Sequence, residues 1–249
     1  MNFHCGFRIL IALTSVLVSW HVNAANIRLV GSPAIRSAVE ALTPAFESSS
    51  GHKIVATYMP LPQLKARIDS GEQQFDVCIL APAMVDDLAQ NSRVFSSAYL
   101  ARSGVAFGIA PNHNLVDIST DERLRVFLLG LRSLEQGDPS NGAFSSVYFS
   151  KTISELGIAD VLKARIKYAT PSAAAPKVAR GEVDLTVGMM SEIAPLKYLK
   201  VLPYRINDPT SYLEFSIASS DSEPARAFVL FMTTPDSKQV LRMQGMETP

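Results

Sequence analysis

Apolar and polar positions along the 249-residue chain switch repeatedly between a period of about two and a period of about 3.6, the signatures of strand and helix. The stretch NIRLVGSPAIRSAVEALTPAFESSSGHKIVATY gives the pattern in miniature. Asn26 to Val30 alternates as a strand and stops at Gly31. Ser32 then stands at a helix N-cap with Pro33 at the first helical position, because the hydroxyl accepts a backbone N–H and proline has none to leave unpaired. An amphipathic helix follows, and KIVATY is a second strand. The same reading gives a helix over Pro62 to Ser70 ended by Gly71, a strand in FDVCIL, a helix over Ala83 to Gln90 and a strand in GVAFGIA. Further helices are predicted over Asp121 to Leu131, Ser145 to Leu156 and Ile158 to Ile166, with strands at Lys167 to Ala169, Asp184 to Val187 and Leu199 to Leu202. Ser211 to Ala218 alternates as an edge-type strand, and Glu223 to Thr233 and Pro235 to Met243 read as two helices. Such alternation predicts an α/β protein built on mainly parallel sheets.

The N-terminus sets the expected compartment. Arg8 precedes an apolar run from Ile9 to Trp20, and Val22-Asn23-Ala24 has the small-x-small form of a signal-peptidase site. The run is shorter than the roughly 20 apolar residues of a membrane span, so residues 1–24 are expected to be a cleaved signal peptide and the mature chain to be exported to the periplasm. Cys5 would leave with the signal, and Cys78 would then be the sole remaining cysteine of the two in the chain, unable to form an intramolecular disulfide. Losing Arg8 takes the basic count from 23 to 22 against 23 acidic residues, a near-neutral balance that implies no nucleic-acid partner. With 47% hydrophobic residues the chain can bury a large core, in one large or two modest domains.

Catalytic and metal motifs are missing. Of the 4 histidines, His4 and His21 lie in the signal, while His52 and His113 have no partner in HExxH or CxxC spacing, and no GxSxG elbow occurs. Neither a metal nor a cofactor is expected. Asp86-Asp87 and Asp121-Glu122 read as solvated or helix-start charges. The turn at Ser32 offers other chemistry, since the positive end of a helix dipole lies just beyond that cap and stabilises a small anion without a cationic side chain.

Six segments taken in order, GSPAIRSAVEALTPAFESSSGHKI, LKARIDSGEQQFDVCILAPAMVDDL, YLARSGVAFGIAP, GDPSNGAFSSVYFSKTISELGI, VARGEVDLTVGMMSEI and ARAFVLFMTTPDSKQVLRMQGME, resemble the periplasmic molybdate-binding protein family across nearly the whole mature chain. The resemblance implies a two-lobed type II periplasmic binding protein whose chain crosses between lobes near Arg102 and Asn207. Lobe 1 would comprise residues 25–101 plus 208–249, and lobe 2 residues 102–207. A monomer would hold a small anionic ligand in the cleft and deliver it to an ABC permease. Family members grip a tetrahedral oxyanion with serine hydroxyls and backbone N–H groups, a site that here would comprise Ser32 and Ala34, Ser145 and Ser146, and the helix start from Ser172 to Ala174. Leu61-Pro62 replaces the family's second Ser-Gly, Pro33 its glycine and Met189 its tyrosine, which disfavours molybdate or tungstate and favours a larger or partly organic anion. Relatives of the family include a periplasmic aconitate isomerase, which leaves an enzyme reading open. Arg36, Lys65, Arg67, Arg102 and Lys151 would then hold carboxylates, and Tyr148 or Asp138 would exchange a proton.

Overall fold

The computed structural model describes residues 24–205 and 207–249. The expected signal peptide therefore lies almost wholly outside the described residues. In the first lobe, β1 (Asn26–Gly31) is flanked by β2 (Lys53–Tyr58) and β3 (Val77–Leu80), both parallel to it. The connection from β1 to β2 is α1 (Arg36–Ser50), which buries Ala38, Val39, Leu42 and Phe46 as one stripe and ends where Gly51 turns to φ 74°, a conformation glycine adopts without a Cβ penalty. Ile27 and Leu29 face the core shared with α1, whereas Val30 faces the opposite side of the sheet. There α2 (Leu61–Asp69) and α3 (Pro82–Gln90) contribute Leu64, Ile68, Val85 and Leu88 to a smaller core around Cys78. Burial pushes the Cys78 thiol up to about 12, so it serves as a small hydrophobe.

One long strand joins the two halves. β4 (Ser96–Ile109) pairs with β9 (Tyr212–Ser219) from Ser96 to Gly104 and with β7 (Leu185–Met189) from Val105 to Ile109, antiparallel in both cases. The sequence reading saw only the second part of this strand. In the second lobe β5 (Leu134–Gln136) lies parallel to both β6 (Ile166–Tyr168) and β7, while β8 (Lys200–Pro203) runs antiparallel along β4. Around them pack α4 (Asp121–Gly130), α5 (Phe144–Glu155), α6 (Ala159–Lys163), α7 (Pro171–Ala179) and the single turn α8 (Met190–Ile193). Phe107 of β4 stacks on Tyr204 at 4.4 Å between ring centroids and meets Phe149 of α5 edge-on at 5.9 Å. Each fully buried ring of this kind contributes about 1.5–3 kcal/mol through the area removed from water.

The C-terminal segment returns to the first lobe as β9, α9 (Glu223–Met232) and α10 (Pro235–Met243). The edge placement expected for Ser211 to Ala218 is corrected: β9 lies between β3 and β4. Its alternation persists, but the small residues Ser216, Ala218 and Ser219 are buried as well, because α3 and α9 both pack on the strand. The helix expected over Ile158 to Ile166 is shorter, ending at Lys163, and Ile166 already belongs to β6.

Candidate functional site

The parallel strands of both lobes point their C-terminal ends at one cleft of about 650 Å³. β1 delivers Ser32, Pro33 and Ala34; β2 leads to Pro60, Leu61 and Pro62; β5 leads to Gly137 and Asp138; β6 leads to Ala169 and Thr170; β7 ends at Met189. Ligands of open α/β sheets sit outside such strand ends, where the helices that follow begin. The helices α2, α5 and α7 all start in this wall, so the positive ends of their dipoles converge on the space.

Ser32 is buried with extended backbone, and its Oγ accepts the Ala34 N–H at 3.3 Å. A 3-10 turn, Pro33–Ile35, separates this cap from α1, so the helix proper starts three residues later than expected. Leu61 is the first residue of α2 and lies in the wall with Pro62. On the opposite side α5 begins at Phe144 behind Ala143, which brings Ser145 and Ser146 into its first turn. Both are buried and line the cleft. The N–H groups of Ser146 and Val147 both donate to the Ala143 carbonyl, at 3.1 and 3.0 Å, so the N–H groups with no carbonyl one turn back are those at the very start of the helix, Phe144 and Ser145. Ser146 is 1% exposed, and its Oγ has no hydrogen-bond partner among the described residues. It abuts Gly137, where an added Cβ would sit 2.8 Å from that oxygen, so the absence of a side chain at residue 137 makes room for the hydroxyl. Met189, at the end of β7, is buried in the wall and donates its N–H to Glu192 Oε2 at 2.9 Å.

Ser172 is placed differently. Its Oγ lies 3.1 Å from Thr170 Oγ1, and the cleft wall at this helix start is formed by Thr170 and Pro171. Thr170 is the cap, accepting the Ala173 N–H at 3.4 Å, while Ala174 belongs to the buried core. Glu192 is a lining residue that the sequence reading missed. Its signal was available, since a Glu three residues after the cap at Met189 is the acidic half of a capping box.

The charge in the wall is negative. Asp138 and Glu192 line the cleft, and among the described residues neither a lysine nor an arginine does. Asp138 caps the turn Pro139–Asn141 by accepting the Ser140 N–H at 2.9 Å. Burial holds the Glu192 carboxyl above the usual carboxylate range, against the opposing influence of the Met189 N–H and the Arg36 charge. The cations of the enzyme reading are engaged elsewhere. Arg36 lies over the Tyr58 ring at 4.8 Å, Lys65 pairs with Asp69 and Asp87, Arg67 with Glu72, Arg102 with Glu247, and Lys151 with Glu155. Tyr148 donates its hydroxyl to Asp208 at 2.6 Å and is absent from the wall, and burial pushes its phenol up to about 12. Of that constellation only Asp138 reaches the cleft.

Contacts already cross the cleft mouth. Gln63 of α2 donates to the Asn141 carbonyl at 3.1 Å, and the Pro62 ring lies against Gly142, where an added Cβ would come within 3.0 Å of it. Gly142 has φ 73°, so a side chain there is disfavoured twice, by contact and by backbone conformation.

Residues 27–247 match the family of bacterial extracellular solute-binding proteins. The chain belongs to this family. Solved structures share the fold of this solute-binding protein at low identity. The periplasmic molybdate-binding protein of Azotobacter vinelandii aligns with a TM-score of 0.69 and 20% identity, over 90% of this chain and 99% of that one. A substrate-binding protein with bound phosphate from Clostridium perfringens gives 0.63 and 10%, over 90% and 99%. The sulfate-binding protein SubI of Mycobacterium tuberculosis gives 0.61 and 16%, over 90% and 87%. A comparison with curated proteins gives no match. Among the described residues of the solute-binding protein, no group of three or more His, Cys, Asp or Glu side chains could hold a metal ion, and no helix is long and apolar enough to cross a membrane.

Proposed function

We propose that this solute-binding protein captures a small anion in the cleft between its lobes and delivers it to the permease of an ABC importer. The mature chain, cut near Ala24, works in the periplasm as a monomer. The lobes comprise residues 25–101 plus 208–249 and residues 102–207, and they close on the ligand by a hinge at the two crossings. The observation that carries this reading is the buried, unpartnered Ser146 hydroxyl in a wall where three helix N-termini converge. A buried hydroxyl without a partner costs about 1–3 kcal/mol, and a ligand that reaches it as the lobes close around the solute recovers the cost. Ser32 and Ser145 complete the hydroxyl set, and the N–H groups at the start of α5 supply donors of the kind that hold anions at helix N-termini.

The ligand is larger than a bare tetrahedral oxyanion or partly organic. Pro33, Pro62 and Pro171 contribute no N–H to the wall, and Leu61, Phe144, Met189 and Leu213 make it predominantly apolar. Molybdate is accordingly a weak ligand. A thermal-shift screen of oxyanions and of mono-, di- and tricarboxylates, with and without a phosphate group, tests the reading. A hit, followed by NMR of the incubated compound, gives binding without turnover; conversion of the compound would revive the isomerase reading.

A further inference from the structure

We propose that Glu192 ties anion capture to a proton: the cleft takes an anion that presents its own O–H to the Glu192 carboxylate, or a fully ionised anion together with one proton taken up on that carboxylate. The inference rests on the anion reading above and names the class of ligand within it. Glu192 is held at the cleft wall by the hydrogen bond from the Met189 N–H to Oε2, at 2.9 Å. Its other oxygen, Oε1, makes no hydrogen bond among the described residues, so one carboxylate oxygen is left for the ligand.

Among the described residues no lysine or arginine forms an ion pair with this carboxylate. On α1, Arg36 acts on it only through space, with its guanidinium over the Tyr58 ring, and Glu40 lies one turn further along the same helix. Arg102 of β4 is bonded to Glu247, Lys177 of α7 to Glu135, and Lys200 of β8 to the His113 carbonyl. β7 has no charged residue, and Asp138 adds a second negative group to the same cleft. An anion entering a wall with two carboxylates and no cation meets like charge, which a proton shared between Glu192 and the ligand lessens by one unit. Burial already favours the protonated form of Glu192, and a second negative charge nearby acts in the same direction. Sulfate has no proton to bring near neutral pH, so its binding takes up one at Glu192. Hydrogen phosphate, a phosphate monoester or a hydroxylated carboxylate brings its own.

Calorimetric titration of the full mature chain with sodium sulfate and with sodium phosphate, small probes that bind more weakly than the larger solute, between pH 5.5 and 8.5 at constant ionic strength, tests the proposal. Linkage to one proton predicts that sulfate affinity falls by up to about tenfold for each unit of rising pH. Above its own second ionisation, near neutral pH, phosphate keeps its affinity, and it exceeds sulfate by about tenfold or more at the alkaline end. In buffers of different ionisation enthalpy, the parent protein shows uptake of close to one proton per sulfate and needs no variant for this readout. Glu192→Gln, whose amide oxygen still accepts the Met189 N–H, binds sulfate without a pH slope and loses the preference for phosphate. Sulfate affinity independent of pH, or an unchanged slope in Glu192→Gln, overturns the proposal while leaving anion binding intact. Failure of both sulfate and phosphate to bind at any pH overturns the proposal, and failure of every anion and carboxylate in the thermal-shift screen overturns the anion reading as well.

Discussion

Ser146→Ala separates a binding role from a structural one, because the hydroxyl has nothing to lose within the protein. Its oxygen is buried in the first turn of α5 without a hydrogen-bond partner among the described residues, so truncation breaks no bond there and removes a desolvated polar atom whose burial costs about 1–3 kcal/mol. Alanine is also the better helix former, by up to roughly 0.7 kcal/mol. The ligand-free variant is therefore more stable than the parent by about 1–3 kcal/mol, a rise in Tm of about 2–4 °C per kcal/mol for a chain of this size. Binding moves in the opposite direction. The solute loses one hydrogen bond to a neutral donor or acceptor, and affinity falls by about 1–3 kcal/mol, roughly 5- to 150-fold. Urea denaturation of the ligand-free protein gives the first quantity, and calorimetry with the solute found by screening gives the second. A variant that is less stable than the parent and binds equally well would refute the reasoning, since the hydroxyl would then have an internal partner and no ligand.

Three further perturbations test neighbouring parts of the argument. Leu61→Ser places a hydroxyl at the start of α2 in the cleft wall, and molybdate affinity measured by calorimetry should rise by at least several-fold. Gly188→Ala puts a Cβ 2.5 Å from the Pro171 ring; the rigid ring forces α7 to shift, at about 1–3 kcal/mol in chemical denaturation. The Arg28 guanidinium holds the Asp76 carboxyl below the usual carboxylate range, so the pair's contribution is complete above the ordinary pKa of an unfolded aspartate and is lost as pH falls through the lowered native value. The parent should lose up to about 1 kcal/mol in that acid window, and Asp76→Asn should show no such step in acid unfolding curves.

Much of the fold was legible because its punctuation is local. Ser32-Pro33 and Gly51 mark the limits of the first helical segment through backbone preferences that depend on a few neighbouring residues. Where tertiary context decides, the reading failed. Leu134-Glu135-Gln136 did not read as a strand, since a carboxylate in a fully buried segment is costly until Lys177, 42 residues later, folds back to within 2.8 Å of it. β9 read as an edge because its serines suggested a solvent face, and only the packing of α3 and α9 covers them. The cleft wall shows the same division. Ser32, Leu61, Ser145, Ser146 and Met189 were legible from the resemblance, but Thr170 was passed over for Ser172, two residues along the same helix start. Glu192 was not singled out because the cap three residues before it is Met189, so the sequence shows only the acidic half of a capping box.

The most direct test of the cleft as the ligand site is the thermal shift of the parent, of Ser32→Ala/Ser145→Ala/Ser146→Ala and of a Lys238→Ala control in α10, each with and without the screened solute. At 100 times its dissociation constant the solute adds about 2.7 kcal/mol to the parent. That corresponds to roughly 5–11 °C in Tm. The account predicts this full shift in the parent and in Lys238→Ala, and its loss in the triple serine variant at the same solute concentration. An undiminished shift in the triple variant would contradict it.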